Sequence, residues 1–170
     1  DLLEMSFYEN GEFPIESAKV DLRDVMDRSV KGFSAMASNK SIQLHLDIPA
    51  GSLDAVTDEK LVSRILDNLL SNALKFTQKG KNVYAGARQE NGDALLFIRD
   101  EGQGISLEDK KKIFQKFQRL SARPTGGESS TGLGLSIVKT LVDRLQGEIQ
   151  LVSEVGIGTE FSIKLPRNLN

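Results

Sequence analysis

The sequence predicts an α+β protein, a two-layer sandwich in which helices pack on one face of a mixed, mostly antiparallel sheet. Two long segments, 58–77 and 133–145, repeat apolar residues at the helical period. Two other regions, 83–99 and 148–165, each contain a pair of short apolar runs separated by a turn, a pattern typical of β-hairpins. Because strands and helices do not alternate one for one, a parallel βαβ fold is disfavoured.

In the first half of the chain, capping residues and alternation place the elements. Asp21 precedes a segment of helical periodicity, and an acidic residue there caps a helix by accepting backbone N–H groups. Apolar and polar residues alternate over residues 41–48, which predicts a strand with His45 on its outward face. In chain order, the predicted elements are a frayed helix end that starts with DLLEM and continues into polar residues, a turn at Asn10-Gly11, an edge strand at 13–20, a helix capped by Asp21, a strand at 41–48, a turn at 49–52 and a helix at 58–77 capped by Thr57 or Asp58.

The second half is predicted to contain two hairpins and two helices. A loop of small polar residues at 121–131 precedes the apolar helix at 133–145. Long loops of this kind in compact domains are usually functional, and we interpret this one as a flexible lid. In chain order, the predicted elements are strands at 83–88 and 94–99, a charged helix capped by Ser106 and extending to about Arg119, the lid loop, the helix at 133–145, and strands at 148–153 and 159–165.

Composition bounds the class of protein. The chain has 170 residues, of which 39% are hydrophobic and 27% charged, as expected for one globular domain with a substantial core. A net charge of −2 indicates no general attraction to nucleic acid or to an anionic membrane surface, and the absence of cysteine excludes disulfides and thiolate metal sites. No run approaches the roughly 18 apolar residues of a membrane span, which favours a cytoplasmic domain. The chain begins at Asp1 rather than Met, which suggests a piece of a longer protein whose own anchoring stays open.

One face of the helix at 58–77 carries polar residues suited to a metal and a phosphate. Asn68, Asn72 and Lys75 follow at i, i+4 and i+7 and therefore share a face. Asparagine is a poor helix former, which suggests that both are kept for another purpose. An amide oxygen suits Mg²⁺, and an ammonium group suits phosphate. The alternative is a solvated helix face with two incidental asparagines.

Two glycine-rich segments add candidate ligand contacts. The segment DEGQG at 100–104 directly follows a predicted strand, so the carboxylate of Asp100 can accept a hydrogen bond from an exocyclic amine such as that of adenine. The alternative is an ordinary turn, because Asp and Gly are common there. The segment GLGL at 132–135 opens a helix whose free N-terminal amides can bind phosphate. The alternative is a capped helix after a glycine-rich loop.

Taken in order, the segments NLLSNALKF, DEGQG, FQKF, TGLGLSIVK and GIGTEF resemble the N, G1, F, G2 and final glycine boxes of the catalytic ATP-binding domain of histidine kinases. That domain belongs to a superfamily shared with gyrase, a heat-shock chaperone and mismatch-repair ATPases. The resemblance implies a Bergerat-type ATP-binding fold over residues 21–170 and, at 1–20, the end of a dimerisation helix with a linker strand. It implies ATP and Mg²⁺ as ligands.

The resemblance also implies roles for individual residues. Asn72 is expected to bind Mg²⁺ with support from Asn68, and Lys75 to contact phosphate. Asp100 is expected to bind the adenine amino group. Arg119 completes the expected catalytic set by meeting the terminal phosphate. The other residues expected at the nucleotide are Phe76, which stands where tyrosine is common, Gly102, Gly104, Ile105, Gly132, Leu133, Gly134, Leu135 and Thr159.

The implied reaction is transfer to histidine rather than hydrolysis. Hydrolases and serine kinases of the superfamily have a glutamate base four residues before the metal-binding asparagine, whereas this chain has Asn68, whose amide cannot take a proton. The neighbouring Asp67 points about 100° away around the helix. A neutral imidazole is already nucleophilic, so histidine is the fitting acceptor.

The acceptor histidine is expected outside this chain. His45, the single histidine, is followed by Leu46 and is interpreted as an exposed strand residue. The resemblance therefore implies two partners, a histidine-bearing dimerisation domain of the same parent protein and the receiver domain of a response regulator. A superfamily ATPase and a degenerate nucleotide-binding module remain the alternatives.

Overall fold

The computed structural model describes residues 2–11, 13–115, 123–126 and 134–169. Within these ranges the chain forms five helices and seven strands. In chain order they are α1 (Leu2–Glu9), β1 (Ala18–Asp21), α2 (Leu22–Asn39), β2 (Gln43–Asp47), β3 (Asp54–Thr57), α3 (Glu59–Phe76), β4 (Asn82–Glu90), β5 (Asp93–Asp100), α4 (Leu107–Lys110), α5 (Gly134–Arg144), β6 (Glu148–Glu154) and β7 (Gly158–Leu165).

Five strands form one sheet in the order β2-β4-β5-β7-β6. Strands β2 and β4 run parallel, and the other neighbouring pairs are antiparallel. Helices α2, α3 and α5 form a layer whose buried apolar residues share one core with the sheet. The opposite face carries solvent-facing residues such as His45, Tyr84 and Arg99. The predicted α+β sandwich, with helices on one face of a mostly antiparallel sheet, is confirmed.

Helix α3 occupies the middle of the helical layer, between α2 and α5. It begins where predicted, because the Asp58 carboxylate accepts the backbone N–H groups of Lys60 and Leu61 at 3.0 and 3.2 Å. Its buried residues recur in adjacent pairs four positions apart, which gives a stripe wide enough to contact both neighbouring helices and the sheet. These residues are Leu61, Val62, Ile65, Leu66, Leu69, Leu70, Ala73 and Leu74.

Two predicted boundaries in the first half are wrong. The edge strand predicted at 13–20 is confined to β1, and the chain after the turn at 49–52 forms β3 rather than leading directly into α3. Strands β1 and β3 pair antiparallel as a separate two-stranded sheet. The Asp21 carboxylate fixes this arrangement by accepting both the Arg23 N–H that starts α2 and the Leu53 N–H beside β3. Such pairing between distant segments leaves little local signal.

The charged helix predicted from Ser106 to about Arg119 is much shorter. Ser106 caps it as predicted, accepting the Asp109 N–H at 3.1 Å, but α4 ends at Lys110. Hydrogen bonds of three-residue spacing follow, from Lys112 N–H to the Asp109 carbonyl and from Gln115 N–H to the Lys112 carbonyl, so the chain continues as turns. Residues 116–122, including Arg119, lie outside the described residues.

Candidate functional site

A cleft of about 330 Å³, open to solvent, lies between the last turns of α3, the loop after β5 and the start of β7. Seven residues line it, namely Asn72, Phe76, Asp100, Gln103, Gly104, Ile105 and Thr159. All except Gln103 are among the residues that the sequence singles out. The fold therefore brings together three segments that are far apart in the chain.

The carboxylate of Asp100 is the buried charge in this cleft. Asp100 ends β5 opposite Thr159 of β7, and it is 8% exposed. Its Oδ1 accepts the Gly102 N–H at 2.8 Å. Burial raises the pKa of Asp100 from its usual 3.8 to about 6, although hydrogen bonds from the backbone N–H groups of Gly102 and Thr159 oppose the rise. The fold thus holds a hydrogen-bond acceptor in an apolar setting at the end of a strand.

This burial makes stability depend on pH. Because the pKa of Asp100 is higher in the folded state, its contribution to stability is fully present below pH 3.8 and is lost as the pH rises through about 6. We expect the free energy of unfolding, relative to that of Asp100→Asn, to fall by about 2 kcal/mol between about pH 4 and about pH 8. Urea denaturation of both proteins across this range measures the difference. A difference that stays constant with pH would contradict the prediction.

Glycines let the loop after β5 pack backbone against backbone. A Cβ on Gly102 would lie 2.6 Å from the Phe76 carbonyl oxygen at the end of α3. Gly104 has φ +75°, and a Cβ there would overlap the carbonyl oxygen of Glu154. The loop after β5 therefore packs against the end of α3 through Gly102 and against the β6–β7 turn through Gly104.

Ser153 links that loop to the β6–β7 hairpin, a role that sequence reasoning missed. Its Oγ accepts the Ile105 N–H at 2.8 Å, donates to the Gly158 carbonyl at 2.9 Å and shares a 2.7 Å hydrogen bond with the Thr159 hydroxyl. One side chain therefore sets the position of two cleft residues, Ile105 and Thr159. Its place in an ordinary alternating strand offers no signal of this role.

Gln103 lines the cleft but was missed by sequence reasoning, because its segment has the composition of an ordinary turn. Its carboxamide pairs with the backbone of Arg123: Nε2 donates to the Arg123 carbonyl at 2.7 Å, and Oε1 accepts the Arg123 N–H at 3.2 Å. Gln103 therefore connects the loop after β5 to a segment distant in the chain.

Of the three polar residues on one face of α3, Asn72 is the one that lines the cleft. Asn68, Asn72 and Lys75 are all half-buried. Asn68 Nδ2 approaches the carbonyl oxygen of Gly134 at 3.5 Å, where α5 begins. Phe76, in the last turn of α3, is half-buried and lines the cleft.

The donor set fits Mg²⁺ in one specific way. Among the described residues there is no group of three or more His, Cys, Asp or Glu side chains that could cage a cation. A single amide oxygen from Asn72 suits an ion that keeps its other sites for water and phosphate oxygens, as Mg²⁺ does.

The remaining predicted residues lie at the start of α5 or outside the described residues. Gly134 and Leu135 form the first turn of α5, with Gly134 exposed and Leu135 half-buried against the core. Arg119, Gly132 and Leu133 lie outside the described residues, so their roles stay predictions.

The family of histidine kinase-, DNA gyrase B-, and HSP90-like ATPases matches residues 57–169. This range is more than half of the chain and contains every residue that lines the cleft. The chain belongs to this ATPase family. As a member of it, the domain is an ATP-binding one, and the cleft on α3 is its candidate nucleotide site.

Individual relatives of this ATPase domain are sensor kinases. It is 34% identical to the autoinducer 2 sensor kinase/phosphatase LuxQ of Vibrio parahaemolyticus, with the match covering 98% of this chain and 20% of LuxQ. It is 31% identical to the sensor-like histidine kinase SenX3 of Mycolicibacterium smegmatis, covering 98% of this chain and 43% of SenX3. The crystal structure of full-length ShkA in complex with AMPPNP matches with a TM-score of 0.86 and 25% identity, over 97% of this chain and 34% of ShkA. The chain thus spans less than half the length of each of these proteins.

The histidine of the ATPase domain lies on the helix-free face of the sheet. His45 is exposed, its ring stacks on Tyr84 with centroids 4.8 Å apart, and its Nε2 is 2.8 Å from Asn82 Oδ1. It is therefore an outward strand residue, as predicted. In the described part of the domain, no helix combines the length and hydropathy needed to cross a membrane.

Proposed function

We propose that this chain is the ATP-binding catalytic domain of a sensor histidine kinase in a two-component system. In this proposal it transfers the γ-phosphate of Mg-ATP to a histidine on a separate dimerisation domain of its parent protein. The observation that carries the proposal is the cleft itself, in which the buried carboxylate of Asp100 and the amide of Asn72 line one space. The sensor-kinase relatives and the AMPPNP complex of ShkA support it.

The adenine end of the site is assigned to Asp100 and its surroundings. Ionised Asp100 accepts a hydrogen bond from the exocyclic amine of adenine, while guanine presents a carbonyl there and is disfavoured. Phe76 and Ile105 offer apolar surface to the ring, and Thr159 supplies a hydroxyl beside Asp100. Because the Gly102 N–H holds the carboxylate, its orientation is set before the nucleotide binds.

The phosphate end is assigned to α3 and the start of α5. Asn72 holds Mg²⁺ with support from Asn68, while Lys75 and Arg119 meet the phosphates. Backbone amides of 132–135 complete the anion site. When bound, Mg²⁺ neutralises charge on the transferring phosphoryl group, so the contribution of the protein is positioning and electrostatics.

On the described part of α3, an amide stands where hydrolases of the superfamily have a glutamate base, and this favours histidine as acceptor. Asn68 occupies the position of the hydrolytic base, and its amide takes no proton. An imidazole nitrogen needs no deprotonation to attack phosphorus, so the site suffices for transfer but not for efficient hydrolysis. His45, stacked on Tyr84 across the sheet, is not the acceptor.

The first twenty residues are assigned to the end of the dimerisation helix and a linker. Helix α1 leaves Leu2, Leu3 and Phe7 exposed by 66, 89 and 59%, an apolar face suited to a partner helix. Its other side docks on the catalytic part through the Glu4–Arg64 ion pair and buried Met5.

In this proposal a response regulator receiver domain then takes the phosphate from the histidine. The domain works in the cytoplasm, where ATP is held.

Transfer in trans tests the proposal. The dimerisation domain of the parent protein, incubated with this chain and γ-labelled ATP, is expected to acquire acid-labile, alkali-stable phosphate. The same domain with its acceptor histidine replaced by glutamine serves as the control and is expected to remain unlabelled. Steady release of inorganic phosphate without the partner would favour an ATPase instead, and a chain that binds no AMPPNP in titration would be a degenerate module.

A further inference from the structure

Of the loop at 121–131 that the sequence predicts as a lid, only Arg123–Gly126 are described, so the lid itself stays a prediction. These four residues contact both the loop after β5 and the end of α3, and we call them the strut. At one end the backbone of Arg123 is held by the carboxamide of Gln103, which lines the cleft, through hydrogen bonds of 2.7 and 3.2 Å. At the other end Thr125 meets the C-terminus of α3. The strut therefore joins the loop after β5 to the helix that carries Asn72 and Lys75.

The contacts at Thr125 are dense. Its N–H donates to the Lys75 carbonyl at 2.8 Å, and its hydroxyl donates to the Thr77 carbonyl at 2.8 Å. The ammonium of Lys40 donates to the Thr125 hydroxyl oxygen at 2.6 Å. The same ammonium donates to the Leu74 carbonyl at 2.7 Å and lies 3.3 Å from the Lys75 carbonyl.

These contacts solve a general problem at helix ends. The last carbonyl groups of a helix have no partner within it and carry partial negative charge, so a cation placed there is stabilising. Lys40 follows α2 and reaches across to α3, and hydrogen bonds from a charged donor are stronger than neutral ones. Capping alone requires contact with the carbonyls only. Lys40 also binds Thr125, so the cap and the strut form one unit.

We propose that Lys40 and Thr125 are positioning residues for the phosphate side of the nucleotide site. They fix the backbone of the last turn of α3, and with it the direction in which Lys75 extends. Gln103 anchors the other end of the strut beside the adenine side. This inference rests on the nucleotide site proposed above, and it assigns to Lys40 and Thr125 no contact with the nucleotide itself.

Nucleotide titration with two ligands tests the inference. Lys40→Met and Thr125→Val are each expected to weaken Mg-AMPPNP binding about tenfold, the size expected for losing a charged hydrogen bond. Adenosine affinity, measured by NMR titration, is expected to stay within about twofold, since the phosphate side carries the loss. The double variant should be no weaker than either single variant, and Lys40→Arg should recover part of the affinity. Lys31→Met is the matched control, because Lys31 lies on α2, the helix that Lys40 follows, its side chain is 75% exposed, and its partner is Asp27.

The outcomes separate this inference from the proposed function. Unmodified protein that binds neither ligand would overturn both. Normal binding by the unmodified protein, together with unchanged AMPPNP affinity in Lys40→Met and Thr125→Val, would overturn only the positioning role. If the variants lose the same factor of affinity for AMPPNP and for adenosine and also have a lowered Tm, the positioning role is overturned and Lys40 is only a structural cap of α3. If Lys40→Met does not fold, Thr125→Val still decides, because it removes the hydroxyl at almost constant volume.

Discussion

Asp100→Asn is expected to weaken AMPPNP binding roughly 100-fold or more, which corresponds to about 3 kcal/mol. The change replaces a buried charged acceptor by a neutral amide whose NH₂ group faces the adenine amine as a second donor. The fold should survive, because the asparagine oxygen can still accept the Gly102 N–H that Asp100 accepts now. Isothermal titration at about pH 8, where Asp100 is ionised, measures the loss.

Asp93→Asn is the matched control for this experiment. Asp93 begins the strand that Asp100 ends, and its side chain is 39% exposed beside Lys164. Its substitution should leave the affinity for AMPPNP unchanged. The Tm of Asp100→Asn should be no lower than that of the unmodified protein at about pH 8, because a buried charge has been removed. Equal affinities of Asp100→Asn and the unmodified protein would remove the adenine assignment.

Asn72→Ala is expected to reduce phosphate transfer to the partner histidine by roughly 100-fold or more while leaving adenosine binding intact. The substitution removes the amide oxygen assigned to Mg²⁺, which belongs to α3, whereas the carboxylate assigned to adenine lies at the end of β5. Alanine is a good helix former, so α3 should persist. Labelled transfer in trans gives the rate, and titration of AMPPNP with and without Mg²⁺ gives the metal-dependent part of the affinity.

Asn10→Ala is the control for that variant. It removes the same carboxamide, but from an exposed residue in the turn after α1. It should transfer at the normal rate. Retention of the Mg²⁺-dependent gain in affinity by Asn72→Ala would mean that another residue holds the metal. Loss of adenosine binding in that variant would instead place Asn72 next to the adenine ring.

The elements that could be predicted are those whose signals lie within a few residues. The Asp58 cap and the Ser106 cap depend on contacts two or three residues away, so the sequence located the Ser106 cap and narrowed the other to Thr57 or Asp58. The hairpins β4–β5 and β6–β7 likewise form between neighbours in the chain. Asp100 and its glycines were predictable for a related reason, since they occupy a strand end with a recognisable local pattern. The other cleft residues Phe76, Ile105 and Thr159 were expected from the resemblance to histidine kinase ATP-binding domains.

The features that could not be predicted depend on distant pairing. Strand β3 exists because it pairs with β1, and α4 is short because turns replace the helix after Lys110. Gln103 and Ser153 look like ordinary turn and strand residues until the fold places Arg123 and Ile105 beside them. Lys40 is the clearest case, because nothing around it in the sequence indicates that its ammonium meets Thr125, which lies 85 positions further along the chain.

The sequence by itself determined the fold class, the helix caps, the hairpins and the chemical types of the groups that line the cleft. The fold class, the caps and the hairpins follow from periodicity and from short-range hydrogen bonds, whose energies are decided within one turn or one hairpin. Several of the groups in the cleft were expected from the resemblance to histidine kinase ATP-binding domains. Tertiary structure alone decided that Asp100 is buried deeply enough to raise its pKa, and that Gln103, Ser153 and Lys40 connect the walls of the cleft. Burial and long-range hydrogen bonds depend on which segments meet, and that is set by packing of the whole core.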